Sequence, residues 1–221
     1  SNLANFLLAI AFSAQLLGLV LWLQDGWHWS PLQTGLAVSP GPAMVTITSL
    51  GLRRYTAKLS VGRRAAAGAL LIGTGGVLIG STLTAHGAYA GEILPGWMIV
   101  GAGFGLSLPT LVGAATADLA AHQTSTGSAV LQMGRQIGGV FGVAMLIVIL
   151  GATAPTTGTL GRFAHVWWAA GAFSLLAALA ALQISRRRIR SSGLRGSGLP
   201  AVGTAAPQPL GLAAEDVATT A

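Results

Sequence analysis

Ser128-Ala-Val-Leu-Gln-Met-Gly-Arg-Gln-Ile-Gly-Gly-Val-Phe-Gly-Val-Ala-Met-Leu-Ile-Val-Ile-Leu150 carries one formal charge, Arg135, in a run that is otherwise apolar, small or amide-bearing. At 1.5 Å of helical rise per residue, a run of this length crosses a hydrocarbon core about 30 Å thick. A barrel strand needs only about 9 to 11 residues and alternates between two faces, which this run does not. Five more stretches read the same way: 6–23, 32–52, 65–84, 93–117 and 163–184. The sequence therefore predicts an all-α membrane protein with six transmembrane helices. The connections between them are short, so they form one bundle over residues 1–185, followed by a tail over 186–221.

Composition agrees with the runs. Of 221 residues, 52% are hydrophobic and 8% charged, against about 25% charged in a soluble domain. Seventeen charges cannot coat a water-exposed globule of this size, and the mean hydropathy of +0.70 places much of the surface in lipid. The net charge of +7 does not point to nucleic acid, because its distribution follows the membrane runs. All of the basic residues except Arg135 and Arg162 fall in two segments. One holds Arg53, Arg54, Lys58, Arg63 and Arg64, the other Arg186, Arg187, Arg188, Arg190 and Arg195. Under the positive-inside rule both segments are cytoplasmic, which places both chain ends there and the loops at 24–31, 85–92 and 151–162 outside. Trp22, Trp27, Trp29, Trp97, Trp167 and Trp168 fall near the outer ends of the runs, as an interfacial aromatic belt would. From about Ser191 the tail turns to Gly, Ala, Pro, Ser and Thr, a composition expected to be disordered. No signal peptide is visible, and the chain starts directly ahead of a span, as a piece of a longer protein would.

Catalytic chemistry has no visible carrier. The chain has no cysteine, and its four histidines stand far apart, so neither a thiolate nor a zinc ligand set is expected. The single lysine, Lys58, is not preceded by a phosphate-cradling glycine loop, and no serine lies in a Gly-x-Ser-x-Gly elbow. No enzyme, metal or cofactor is expected.

Glycines and prolines mark where helices approach or break. Gly134, Gly138 and Gly142 recur every four residues along one helical stripe, and Gly101 with Gly105 and Gly76 with Gly80 repeat the spacing. These stripes predict close packing. Ser39-Pro40-Gly41-Pro42 lies inside the second run, where each proline removes a backbone donor, and Pro109 does the same in the fourth. Kinks are expected there, and broken helices at membrane depth line transporter cavities. Arg135 lies about 10 Å into its run by the helical rise, so it is expected to face the bundle interior with a partner. Asp118, at the end of the fourth run, is the nearest candidate. No Asp or Glu is expected to be buried.

Two stretches carry a resemblance: Gly101-Ala-Gly-Phe-Gly-Leu-Ser-Leu-Pro109, and 127–144 with its Arg135-Gln136-Ile-Gly138-Gly139 core. They resemble the late helices of the major facilitator superfamily, and within it the fourteen-helix drug:proton antiporter branch. Gly35-Leu-Ala-Val-Ser-Pro-Gly-Pro-Ala-Met44 is similar to that branch's leucine-proline-glycine-proline helix, and 29–35 to the loop leading into it. The resemblance runs in order over about residues 6 to 184. It implies the C-terminal six-helix portion of a multidrug exporter in a bacterial inner membrane, with a missing N-terminal half as partner. Protons and a hydrophobic or cationic small molecule would be the cargo. Of the branch's basic loop only Gly62-Arg63-Arg64 survives, with Leu59 where an acid is expected and Tyr55 where the leading glycine is expected. A six-helix membrane scaffold without transport is the alternative reading.

Overall fold

The computed structural model describes residues 2–56, 58–84, 88–117, 123–152 and 159–196. Helix α1 (Asn2–Leu21) closes in a π-helical turn (Trp22–Gly26), and His28, at φ 56°, adopts the left-handed conformation that reverses the chain. Helix α2 (Pro31–Val38) starts on a capping box. Gln33 N donates to Ser30 Oγ at 3.3 Å, Ser30 N donates to Gln33 Oε1 at 3.0 Å, and Pro31 occupies the first turn, where its missing N–H costs nothing. There follow α3 (Pro40–Gly51), α4 (Arg53–Thr56), α5 (Val61–Thr82), α6 (Tyr89–Glu92), α7 (Leu94–Thr116), α8 (Thr124–Ala152) and α9 (Thr159–Gly196). No strand occurs among the described residues.

Five helices, α1 with its terminal turn, α5, α7, α8 and α9, are long and apolar enough to cross a membrane. The sixth expected span, 32–52, is the pair α2 and α3, whose hydrogen-bond ladder breaks at Ser39 and Pro40 while Ser39 itself stays helical at φ −56° and ψ −34°. The break follows from backbone chemistry. Pro40 and Pro42 have no N–H, so the carbonyls of Leu36 and Val38 lose their ordinary intrahelical donors. Leu36 O accepts from Ser39 N at 3.3 Å instead, and Val38 O accepts from the Trp97 indole Nε1 at 2.9 Å. Beside them, the Tyr89 hydroxyl donates to Ala37 O at 2.6 Å. Burial pushes the Tyr89 phenol above its ordinary pKa, which keeps it a donor. A neighbouring helix thus satisfies the carbonyls a broken helix leaves open, the condition for such a break in an apolar medium. Pro109 acts differently: α7 continues through it unbroken.

The helices pack in the spatial order α8, α1, α9, α5, α7, α3. Their shared core holds Leu19, Leu23, Ile72, Ile79, Trp97, Val100 and Trp167. The tightest seam is α5 on α7. A methyl group on Gly103 would lie 2.5 Å from Gly68 O, and one on Gly75 would lie 2.6 Å from Gly96 O. Backbone therefore meets backbone at two levels. Ser107 Oγ ties the seam by donating to Ala65 O at 3.2 Å. The glycine pairs 68/75 and 96/103 are each seven residues apart, the repeat of a left-handed crossing.

Three sequence expectations change. Trp22, Trp97 and Trp167 are core residues, with Trp97 only 1% exposed, rather than members of an interfacial belt; among the described tryptophans only Trp168 is largely exposed. Aromatic bulk was needed to fill the space beside the small residues of the facing helices, and Gly41 and Gly80 lie directly against Trp97 and Trp167. Helix α9 does not stop near residue 184; its backbone runs through the basic segment to Gly196. Glu92 is a buried carboxylate, contrary to the expectation of none. It accepts from Thr84 N at 2.8 Å and from Thr84 Oγ1 at 2.5 Å, which fastens the end of α5 to α6.

Candidate functional site

The Pro-Gly-Pro break shapes a cavity of about 220 Å³ between α1, α3 and α7, lined by Phe12, Gly41, Pro42, Val45, Trp97, Gly101 and Phe104. Its walls are almost wholly apolar. Phe12 stacks on Phe104 with ring centroids 4.2 Å apart and lies nearly parallel to Trp97 at 6.2 Å. Such pairs contribute about 0.5–1.5 kcal/mol beyond their burial and present flat faces to a ligand. Backbone packing holds the wall in place: a methyl group on Gly105 would lie 2.5 Å from Val45 O, and Gly101 lies against Gly41. The Trp97 ring is fixed by its bond to Val38 O, so the break and the aromatic wall are one construction.

Sequence reasoning had singled out Pro40, Gly41, Pro42, Gly101 and Gly105, and the structure brings them together here, Pro40 in the adjoining turn. Phe12, Trp97 and Phe104 were missed. No local signal marks them, because an aromatic residue in an apolar run reads equally well as core, belt or cavity wall.

Arg135 is half-buried and lines a second cavity of about 240 Å³ between α1, α7 and α8, with Asn5, Leu108, Val112, Ser128, Leu131 and Gln132. Asn5, also missed from sequence, is buried and donates from Nδ2 to Leu131 O at 2.9 Å, which ties α1 to α8. Asp118, the expected partner of Arg135, lies outside the described residues. Gln136 is exposed on α8. On the same helix Gly138 and Gly142 face the backbone of α1 at Phe6 and Ile10, and Gly139 faces Ser13 Oγ. Gly134, expected to continue that packing stripe, faces open space, because 3.6 residues per turn carries a four-residue repeat slowly around the helix.

Pro109 lines a third cavity of about 430 Å³ together with Thr48, Ser49, Leu50, Thr56, Arg64, Gly105, Leu106 and Thr110. Gly62 is buried at the start of α5, whereas Arg63 is exposed. No group of three or more His, Cys, Asp or Glu residues suited to a metal occurs among the described residues.

Long apolar helices, a proline-broken helix and cavities beside it define a multi-pass helical membrane protein. No protein-family profile matches the chain. Over 155 residues, 68% of the chain, it is 31% identical to the multidrug resistance protein B homolog of Mycobacterium tuberculosis. Over 139 residues, 62% of the chain, it is 30% identical to the puromycin resistance protein pur8 of Streptomyces alboniger. The probable actinorhodin transporter of Streptomyces coelicolor is 33% identical over 132 residues, 58% of the chain. The chain belongs to the major facilitator superfamily, as these drug efflux relatives do, and is a multi-pass protein of the bacterial plasma membrane. It spans only 28%, 28% and 22% of the lengths of these relatives.

Proposed function

We propose that the chain is the C-terminal six-span portion of a proton-coupled multidrug exporter of the fourteen-helix branch, and that it works by alternating access against an N-terminal half. The observation that carries this reading is the aromatic cavity at the broken helix. Flat apolar walls from Phe12, Trp97 and Phe104 suit hydrophobic or cationic aromatic molecules, because ring faces attract both apolar surface and positive charge. Resistance and multidrug names among the relatives support the same class of cargo. The chain performs no bond chemistry in this reading; its glycine seams and proline break serve motion and shape. Arg135 acts from its own cavity by pairing with Asp118 or with a group of the other half.

The test is efflux of ethidium and of an uncharged dye from cells making the complete protein. Phe104→Ala should lower efflux about tenfold, with unequal effects on the two dyes, at unchanged protein level, and collapse of the proton gradient should stop efflux of both. Undiminished efflux of both dyes by Phe104→Ala and Phe12→Ala would remove the cavity from the transport path. The orientation, with both chain ends and the 53–64 segment cytoplasmic, rests on the basic residues. The chain itself has no cysteine, so Lys58→Cys and Asp25→Cys are read against the unsubstituted protein. An impermeant thiol reagent applied to intact cells should label position 25 and not position 58; the reverse pattern inverts the topology.

A further inference from the structure

The cavity of about 430 Å³ between α3, α4, α5 and α7 is unlike the aromatic one: Thr48, Ser49, Thr56 and Thr110 line it, with Arg64 as its cation. Thr48, Thr56 and Thr110 are buried, an unusual density of hydroxyls for a wall between apolar helices. The guanidinium of Arg64 is only partly engaged. Nη2 donates to Leu59 O at a long 3.4 Å, and Nε is buried without a hydrogen-bond partner among the described residues. A buried donor on a charged group left unpaired carries a desolvation cost that an incoming acceptor relieves.

No described carboxylate is within reach. The described acids are Asp25 and Glu92. Glu92 is bonded to Thr84, and Trp27 Nε1 donates to Thr84 O at 3.1 Å, so both acids sit at the far end of α5. The helical rise from residue 64 to residue 84 puts that end about 30 Å from Arg64. Leu59, where the resemblance leads one to expect an acid, contributes only its carbonyl. Lys58 and Arg63 are exposed at the same end, so the surrounding potential adds to the pull on an anion.

We propose that this cavity binds a phosphate group, with Arg64 as its charged anchor and the hydroxyls of Thr48, Thr56 and Thr110 around it. A phosphate offers several acceptor oxygens, which meet the planar fork of a guanidinium and any hydroxyl free to rotate toward it. Thr56 Oγ1 and Thr110 Oγ1 now donate to Leu52 O and Leu106 O in their own helices at 2.8 and 2.7 Å, bonds that a hydroxyl rotor can exchange for a stronger acceptor. The phosphate comes from the headgroup of an anionic lipid or from solution, and the chemistry is the same. The site is separate from the aromatic cavity and does not depend on what is exported.

The experiment places the complete protein in nanodiscs of phosphatidylcholine alone, of phosphatidylcholine with phosphatidylglycerol, and of phosphatidylcholine with millimolar inorganic phosphate in the buffer. Thermal stability and native mass spectrometry of retained lipid are read in each. Phosphatidylglycerol should raise Tm and remain bound, with Arg64→Gln weakening retention about tenfold or more and Arg63→Gln by no more than a few-fold. Arg64→Lys, which keeps the charge without the fork, should fall between them, and lipid retention can be read on any variant that survives purification. Protection by inorganic phosphate alone, sensitive to Arg64→Gln, assigns the site to the soluble ion. Equal losses in Arg64→Gln and Arg63→Gln would reduce the effect to diffuse charge and overturn the proposal. So would indifference of the wild-type protein to both phosphate sources.

Discussion

Helices α7 and α8 are both long, apolar and glycine-rich, yet they stand in the bundle in opposite ways. Helix α7 is gripped on two sides: Gly96 and Gly103 meet the backbone of α5, and Gly101 and Gly105 meet that of α3. Helix α8 is the least buried of the five long helices. It touches α1 along Gly138, Gly139 and Gly142 and turns Met133, Ile137, Val140, Phe141, Ile147 and Val148 outward. A stripe of glycines therefore says that something can come close and not that something does. What distinguishes the two helices is the number of neighbours: α7 meets backbone on two sides, at Gly68 and Gly75 of α5 and at Gly41 and Val45 of α3, whereas α8 meets it mainly on α1, where Gly138 and Gly142 lie as close to Phe6 O and Ile10 O.

That comparison can be broken first at Gly103. Any side chain there meets Gly68 O at 2.5 Å and Ile72 N at 2.8 Å, neither of which can swing aside. Gly103→Val should destabilise the bundle by about 3 kcal/mol or more, the upper range of overpacking, and show as loss of monodisperse protein in detergent. Normal yield and Tm would mean that the α5–α7 seam opens more easily than its geometry implies. Within α8 the effect should be smaller and should depend on position. Gly138→Leu faces Phe6 O and Ala9 Cβ at 2.6 and 2.9 Å, but α1 has only this one close neighbour to adjust on that side, so a cost of about 1–3 kcal/mol is expected. Gly134→Leu, with nothing within 4 Å, should change stability by no more than about 0.5 kcal/mol. Equal Tm losses at 134 and 138 would show that another part of the complete protein covers the face on which Gly134 lies.

The limits of sequence reading lie along the same line. Length and apolarity identified the helices, since a chain in lipid must satisfy its backbone internally and has few ways of doing so. The seam glycines 68, 75, 96 and 103 were nevertheless passed over in favour of the four-residue stripes. Their seven-residue spacing was visible, but only the structure shows that the two pairs face each other. Gln15 makes the same point from the polar side. It is fully buried in α1, with Nε2 3.4 Å from Ile72 O, and nothing in an apolar run tells an inward glutamine from one at the rim.

The sequence alone determined that this is a membrane bundle, roughly where its helices run, that the second span kinks at Pro40 and Pro42, and which superfamily its motifs resemble. These are properties of local composition: hydropathy sums over a run, and a proline lacks its N–H wherever it is placed. Tertiary structure alone decided that the break is mended by Trp97 and Tyr89, that Phe12 and Phe104 stack into a cavity wall, that Glu92 is buried, and that Arg64 lies among buried hydroxyls without a described acid. Each of these joins residues far apart in the chain. In a uniformly apolar sequence, which face of a helix turns toward which neighbour depends on shape, and shape exists only after the helices have met.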